Sequence, residues 1–132
     1  MTTGTDGLVP GQPCRGEVWL ARLGSVSDGE PGKDRPVVII QVDALVPYGV
    51  TDLIPVVPLS ASRPPSPASV AMPAIAGIDR SCVAVCRAIR GISRGRLLRR
   101  LAVAPQAAMD EIDVALGRVL GLGPLCVRES DD

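Results

Sequence analysis

The chain has 132 residues, no histidine and a formal net charge of zero, with hydrophobic residues at 46% and aromatic residues at 2%. This length provides one domain with a modest core, and the apolar content argues against a disordered chain. The N-terminus lacks the pattern of a signal peptide, and no window approaches the roughly 20 apolar residues of a membrane span, so we expect a cytoplasmic protein with no membrane partner.

Arginine is concentrated in one stretch of the chain. Seven arginines and no acid occur between Arg80 and Met109. A basic stretch within a neutral chain favours an anionic partner such as nucleic acid. The alternative interpretation is an exposed arginine-rich face in a protein whose only lysine is Lys33.

The four cysteines are scattered and form no CxxC pair: Cys14, Cys82, Cys86 and Cys126. A zinc site would require all four thiolates to converge, because the chain has no histidine to replace one of them. Cys82 and Cys86 lie in an apolar run and are expected to be small buried side chains. We therefore predict neither a metal nor a cofactor.

The first half of the chain predicts strands separated by polar loops. In chain order we expect a flexible lead-in over 1–14, a strand over 15–23, a loop over 24–34 and a buried strand over 35–42. Alternating apolar residues indicate the first strand, and a β-branched run indicates the second. The loop is dense in Gly, Ser, Asp and Pro, which break regular structure.

The second half predicts more short strands and then one helix. We expect strands over 52–60, 70–73, 82–89 and 98–103, one helical turn over 94–97, a helix over about 105–120 and a loose tail over 124–132. The helix starts at Pro105, carries apolar residues at helical spacing and ends at Gly121 or Gly123. These elements predict a mainly β domain over 15–123, a small barrel with a C-terminal helix.

The order of several segments resembles the MazF/PemK toxin family. The segments are RGEVW at 15–19, EPGKDRP at 30–36, VVIIQVD at 37–43, VVPLSAS at 56–62 and AIRGISRGRL at 88–97. Each segment alone is weak, but together they span the chain from about Arg15 to Leu122.

The resemblance implies an SH3-like barrel of the CcdB/PemK type that forms a homodimer. It also implies metal-independent, sequence-specific cleavage of single-stranded RNA, in which the 2′-hydroxyl of the RNA is the nucleophile. The products would be a 2′,3′-cyclic phosphate and a 5′-hydroxyl. A cognate antitoxin with an acidic disordered segment is the expected protein partner.

Three residues match the catalytic positions that the resemblance implies. Arg35 can stabilise the phosphorane with its fork of donors, and Ser60 can hydrogen-bond a phosphate oxygen. Glu30 can orient Arg35 or accept the proton of the 2′-hydroxyl. The alternatives are a surface arginine, a turn serine and a solvated loop acid.

The expected RNA-binding residues are Lys33, Arg87, Arg90 and Arg96. The family commonly has Asp-Gln where this chain has Arg87 and Ala88, so RNA recognition is expected to differ there. Arg87 can contact phosphate, or it can be a charge on an outward strand face. Arg90 and Arg96 have a structural alternative, in which they pair with Asp79 or with helix acids.

Two competing functions remain at this point. A CcdB-like barrel would bind and inhibit DNA gyrase without catalysis, but such proteins end in Trp-Gly-Ile, whereas this chain has its only tryptophan at Trp19. A barrel without activity would serve only as a binding module. The joint presence of Glu30, Arg35 and Ser60 argues against that second alternative.

Overall fold

Seven strands and one helix make up the described part of the chain in this computed structural model, which describes residues 11–24, 33–45, 52–61, 64, 66–73 and 81–122. The strands are β1 (Glu17–Arg22), β2 (Asp34–Ile39), β3 (Leu53–Ser60), β4 (Ser69–Met72), β5 (Cys82–Val85), β6 (Arg90–Ser93) and β7 (Leu97–Val103), and the helix is α1 (Gln106–Leu120). The expectation of a mainly β barrel with a C-terminal helix is confirmed.

The strands form one antiparallel sheet in the order β4-β5-β3-β2-β1-β7, with β6 also paired to β3. β5 pairs with the end of β3, and β6 pairs with its beginning. Strands β6, β3, β2, β1 and β7 therefore curve into the five-stranded barrel. Among the described residues no ladder joins β6 to β7, so hydrogen bonds do not close this barrel.

The two faces of the sheet bury two separate apolar clusters. The barrel cluster lies inside the curved strands and consists of Trp19, Ala21, Val37, Ile39, Ile54, Val56, Ile92 and Leu97. The helix-side cluster lies between the opposite face and α1, and it includes Val38, Val57, Leu59, Ala84 and Ile112. Because side chains alternate along a strand, neighbouring valines of β2 and β3 contribute to different clusters.

Glu17 is a buried acid with three hydrogen-bond donors. Its carboxylate accepts from the Cys14 backbone N–H at 2.9 Å, from Trp19 Nε1 at 2.9 Å and from Arg100 Nη1 at 3.0 Å. A buried carboxylate is costly unless it is paired, and these donors compensate it. The segment RGEVW is therefore a structural signature of the start of β1.

The backbone conformation at position 16 requires a glycine. Its backbone φ is +90°, in the region that favours glycine. Its N–H donates to the Ile39 carbonyl oxygen, and its own carbonyl oxygen accepts from the Ala104 N–H, each at 2.8 Å. This glycine thus ties the start of β1 to the end of β2 and to the chain that enters α1.

The helix begins one residue later than predicted. Pro105 has an extended backbone and caps the helix from outside, so Gln106 is its first residue. Gly121 ends it in the left-handed conformation with φ 71°, which confirms one of the two predicted stops. Leu120, the last residue of α1, is 51% exposed, so it does not join the apolar face that helical spacing predicts for it.

The predicted strand over 82–89 is wrong in its second half. The chain forms β5, turns through a 3-10 helix at Cys86–Ala88 and then forms β6, which the sequence did not indicate.

Cys82 and Cys86 are buried and free, as expected, whereas Cys126 lies outside the described residues. The predictions for 1–10 and for the 124–132 tail also lie outside them. In the described part of the chain, the helix is too short to cross a membrane.

Candidate functional site

Arg35 and Ser60 lie at the same end of two neighbouring strands. The ladder between β2 and β3 runs from Val37–Pro58 to Ile39–Val56. Arg35 lies two residues before Val37 on β2, and Ser60 lies two residues after Pro58 on β3. The fold therefore places two of the three residues that the sequence predicted as catalytic at one end of this ladder, and we name them the Arg35–Ser60 pair.

The Arg35 side chain is exposed, and its neighbour on β1 is a small residue. It pairs across β1 with Ala21, whose methyl group is fully buried. In the part of the chain that the structure describes, no carboxylate lies within ion-pairing distance of Arg35. A guanidinium without a protein counter-ion is suited to an anionic ligand.

The third predicted catalytic residue, Glu30, lies outside the described residues. Nearby, Lys33 is exposed, and its carbonyl oxygen accepts from the Leu23 N–H at 2.9 Å. Asp34 pairs with Arg22 across the strands at 3.1 Å. These contacts join the end of β1 to the start of β2, where Lys33 and Arg35 lie.

Arg90 shares the face of the sheet that carries Ser60. It pairs with Val56 on β3, and positions 56, 58 and 60 point to the same side of that strand. Arg90 is exposed, and the described residues contain no ion-pair partner for it. Its position is therefore consistent with the predicted contact to RNA.

Arg87 lies in the turn between β5 and β6 and lines a groove of about 520 Å³. We name this the β4–β5 groove; its lining residues are Pro64, Ser66, Ala68, Ser69, Val83, Val85, Arg87 and Ala88. Val83 pairs with Ser60 on β3, so the groove adjoins the Arg35–Ser60 pair on the same face. The structure thus brings Arg87 to the same face as Arg35, Ser60 and Arg90.

Arg96 makes hydrogen bonds to the backbone. Its Nη1 donates to the carbonyl oxygens of Arg22, at 2.9 Å, and Gly24, at 3.4 Å. The structural alternative from the sequence had it pair with Asp79 or with helix acids. Asp79 lies outside the described residues, and among the described helix acids Asp113 pairs with Arg15.

Arg94 is a structural arginine that the sequence analysis did not single out. Its Nη2 donates to the Gly11 carbonyl oxygen at 2.9 Å, its Nε donates to Gln12 Oε1 at 3.4 Å, and its guanidinium lies 5.6 Å from the centre of the Trp19 ring. It therefore holds residues 11–12 against the barrel. Nothing in the spacing of the basic stretch distinguished it from the arginines on the candidate site.

The chemistry available at the site is that of a cation and a hydroxyl. Among the described cysteines, the thiols are poor candidates for a nucleophile, because burial raises the pKa of Cys82 and of Cys86. Burial, followed by the charges of Glu17 and Asp43, also raises the pKa of Cys14. Across the described residues, no three His, Cys, Asp or Glu side chains are grouped as metal ligands would be. The arrangement is suited to holding a phosphodiester by its oxygens.

Comparison with known proteins identifies the family of the chain. A profile of PemK-like, MazF-like toxins of type II toxin–antitoxin systems matches residues 14–120. The chain is 33% identical to the endoribonuclease MazF of Staphylococcus epidermidis over 109 residues, covering 82% of this chain and 91% of that protein. It is also 33% identical to the endoribonuclease MazF6 of Mycobacterium tuberculosis over 113 residues, covering 82% of this chain and 96% of that protein.

Solved structures show the same fold. A crystal structure of MazE–MazF from Deinococcus radiodurans superimposes with a TM-score of 0.71 at 28% identity, covering 84% of this chain and 97% of that chain. MazF alone from the same organism gives a TM-score of 0.68 at 28% identity, covering 84% and 98%. Since the profile spans most of the domain and the fold agrees, the chain belongs to the PemK/MazF toxin family of type II toxin–antitoxin systems.

Proposed function

We propose that the protein is the toxin of a toxin–antitoxin pair and acts as a ribosome-independent endoribonuclease on single-stranded RNA. The observation that carries the proposal is that Ser60 and the exposed Arg35 lie at the same end of the β2–β3 ladder. The relatives named endoribonuclease support the same activity. They also disfavour the alternative of a non-catalytic barrel that binds gyrase.

The proposed reaction is an internal transfer within the RNA chain. The 2′-hydroxyl oxygen attacks the adjacent phosphorus and loses its proton, the bond from phosphorus to the 5′-oxygen breaks, and that oxygen gains a proton. Arg35 would stabilise the non-bridging oxygens, which are more negative in the transition state, and Ser60 would donate a hydrogen bond to one of them. Two roles are open to Glu30: accepting the proton of the 2′-hydroxyl, or orienting Arg35.

The exposed surface of the protein also supports two protein partners, an antitoxin and a second copy of the chain. We propose that a cognate antitoxin covers the exposed arginines with an acidic segment; the solved MazE–MazF complexes support the existence of an antitoxin partner. We also propose a cytoplasmic homodimer, because an isolated small barrel exposes strand edges and apolar side chains such as Leu53 and Val103. The reaction needs no metal, since the arginine can supply the positive charge.

The test is cleavage of total RNA by the purified protein in EDTA, followed by mapping of the new 5′ ends. We expect cuts at a short recurring sequence, with 5′-hydroxyl and cyclic-phosphate ends. An inactive Arg35→Ala preparation, purified in parallel, controls for contaminating nucleases. A strict requirement for added magnesium, or 5′-phosphate ends, would contradict the mechanism.

A further inference from the structure

The β4–β5 groove combines apolar walls with an arginine. Val83, Val85 and Pro64 provide apolar surface, and Arg87 is the only charged residue among the described residues that line the groove. Its guanidinium is exposed and has no ion-pair partner among the described residues. An unpaired fork of donors beside an apolar surface is suited to a flat ligand that presents hydrogen-bond acceptors along one edge.

The two serines that line the groove, Ser66 and Ser69, already form hydrogen bonds with each other within one turn. The Ser66 N–H donates to Ser69 Oγ at 2.7 Å, and Ser69 Oγ donates to the Ser66 carbonyl oxygen at 3.1 Å. These bonds close the turn that precedes β4 and hold one wall of the groove in place. Directional recognition of a ligand is therefore left mainly to Arg87.

We propose that the β4–β5 groove is a subsite for a guanine base of the RNA and that Arg87 is the residue that selects it. Guanine presents two adjacent acceptors, O6 and N7, which match the donors of a guanidinium, whereas adenine presents a donor in place of O6. The apolar walls would cover the face of the base. This inference rests on the proposed function, because it assigns a nucleotide preference to the same site.

The location of the groove fits a nucleotide next to the scissile phosphate. Val83 is the direct neighbour of Ser60 across β3 and β5, and Arg35 lies one strand further along. Neighbouring strands are about 5 Å apart and β3 lies between β5 and β2, so the groove begins roughly 10 Å from the strand that carries Arg35. A base in the groove is thus adjacent to a phosphate held between Arg35 and Ser60.

A phosphate in the groove itself is the less favourable occupant. An anion loses hydration next to Val83, Val85 and Pro64, and a single guanidinium replaces only part of it. A base, in contrast, is stabilised by contact with the apolar walls, and only the acceptors along one edge need hydrogen-bond donors. The same argument disfavours an acidic side chain of the antitoxin at this position.

The first experiment measures nucleotide binding and requires no cleavage. Guanosine 5′-monophosphate, its 7-deaza analogue and adenosine 5′-monophosphate are titrated against the full chain while the methyl signals of Val83 and Val85 are followed by NMR. All three nucleotides carry the same phosphate, so differences in their affinity report how the protein recognises the edge of the base. We expect guanosine monophosphate to bind roughly tenfold more tightly than the other two, and Arg87→Ala to abolish the difference.

Arg118→Ala is the matched control, because it removes one exposed helix arginine that does not line this groove. It should leave the preference for guanine intact. Equal binding of all three nucleotides by the wild type, or a preference that persists in Arg87→Ala, would overturn the proposal. Since these readouts do not depend on RNA cleavage, they decide the subsite even if the proposed ribonuclease activity fails.

The second experiment compares the cleavage maps of the wild type and Arg87→Ala on total RNA. We expect guanine at one fixed position near the wild-type cut, and roughly tenfold weaker discrimination at that position alone in the variant. A uniform loss of cleavage at all sequences would instead identify a phosphate contact. Unchanged maps together with weaker binding of an acidic antitoxin peptide would assign the groove to the antitoxin. Either result would overturn the proposal.

Discussion

The indole N–H of Trp19 donates a 2.9 Å hydrogen bond to Oε1 of Glu17, two residues earlier on the same strand. The same oxygen accepts from the Cys14 N–H, and the other carboxylate oxygen accepts from Arg100. The acid thereby joins the lead-in, β1 and β7 at the base of the barrel. This explains in physical terms why an acid precedes the tryptophan by two positions.

Glu17→Ala should destabilise the fold. The substitution leaves a buried indole donor and a backbone donor without an acceptor, which costs on the order of 1–3 kcal/mol. Urea denaturation should show this loss in the free energy of unfolding. Glu111→Ala, on the exposed face of α1, is the control and should change it by less than about 0.5 kcal/mol. Equal stability of the two variants would refute the role assigned to Glu17.

Arg35→Ala should reduce single-turnover cleavage by roughly 100- to 1,000-fold while RNA binding is partly retained. The reason is that the phosphorane oxygens carry more charge in the transition state than in the ground state. Arg35→Lys should also fail, because an ammonium keeps the charge but loses the fork of donors. Melting curves check that both variants fold. Wild-type rates in a folded Arg35→Ala protein would remove the residue from the mechanism.

Ser60→Ala should have a milder effect than Arg35→Ala. A neutral hydroxyl donor contributes less than a charged one, so we expect cleavage to slow by roughly two- to tenfold. Single-turnover rates on one RNA oligonucleotide measure the difference. A loss as large as that of Arg35→Ala would mean that Ser60 does more than hold a phosphate oxygen.

Arg96→Ala tests whether this residue binds RNA or holds the β1–β2 connection. If its hydrogen bonds to the Arg22 and Gly24 carbonyl oxygens matter most, the Leu23 amide should exchange its hydrogen faster. The cleavage rate at saturating RNA should then fall, with RNA affinity nearly unchanged. Reduced affinity with normal amide exchange and a normal rate would favour the RNA-binding role instead.

Arg99→Ala should weaken RNA binding by the loss of one contact to phosphate. Arg99 lies exposed on β7, outside the Arg35–Ser60 pair. Binding titrations over a series of salt concentrations should show a shallower dependence of affinity on salt than in the wild type. An unchanged salt dependence would place Arg99 away from the path of the RNA.

The sequence predicted most strands, because alternating and β-branched runs mark them directly. It did not predict the break between β5 and β6, since the run from Cys82 to Ile89 is apolar except for Arg87. Ser60 pairs with Val83 and Val56 pairs with Arg90, so five positions on β3 face eight on the neighbouring chain, and the 3-10 turn takes up the excess. Such a register shift is a tertiary property with no local signal.

The candidate site was predictable only as separate residues. The resemblance identified Arg35 and Ser60, but their placement at the same end of one ladder depends on the pairing of β2 with β3, which the sequence does not specify. The arginines were harder to separate, because all of them carry the same side chain and the same charge. Arg94 and Arg96 differ from Arg87 and Arg90 through their backbone acceptors, and those contacts appear only after folding.

The single tryptophan gives this protein a built-in optical reporter of one half of its core. Trp19 is 7% exposed and belongs to the barrel cluster, whereas α1 packs on the opposite face of the sheet. Its emission should shift to longer wavelength as the barrel opens, while circular dichroism at 222 nm follows mainly the helix. Coincident transitions would show that the two clusters melt as one unit, and separated transitions would show that the helix can detach from an intact barrel.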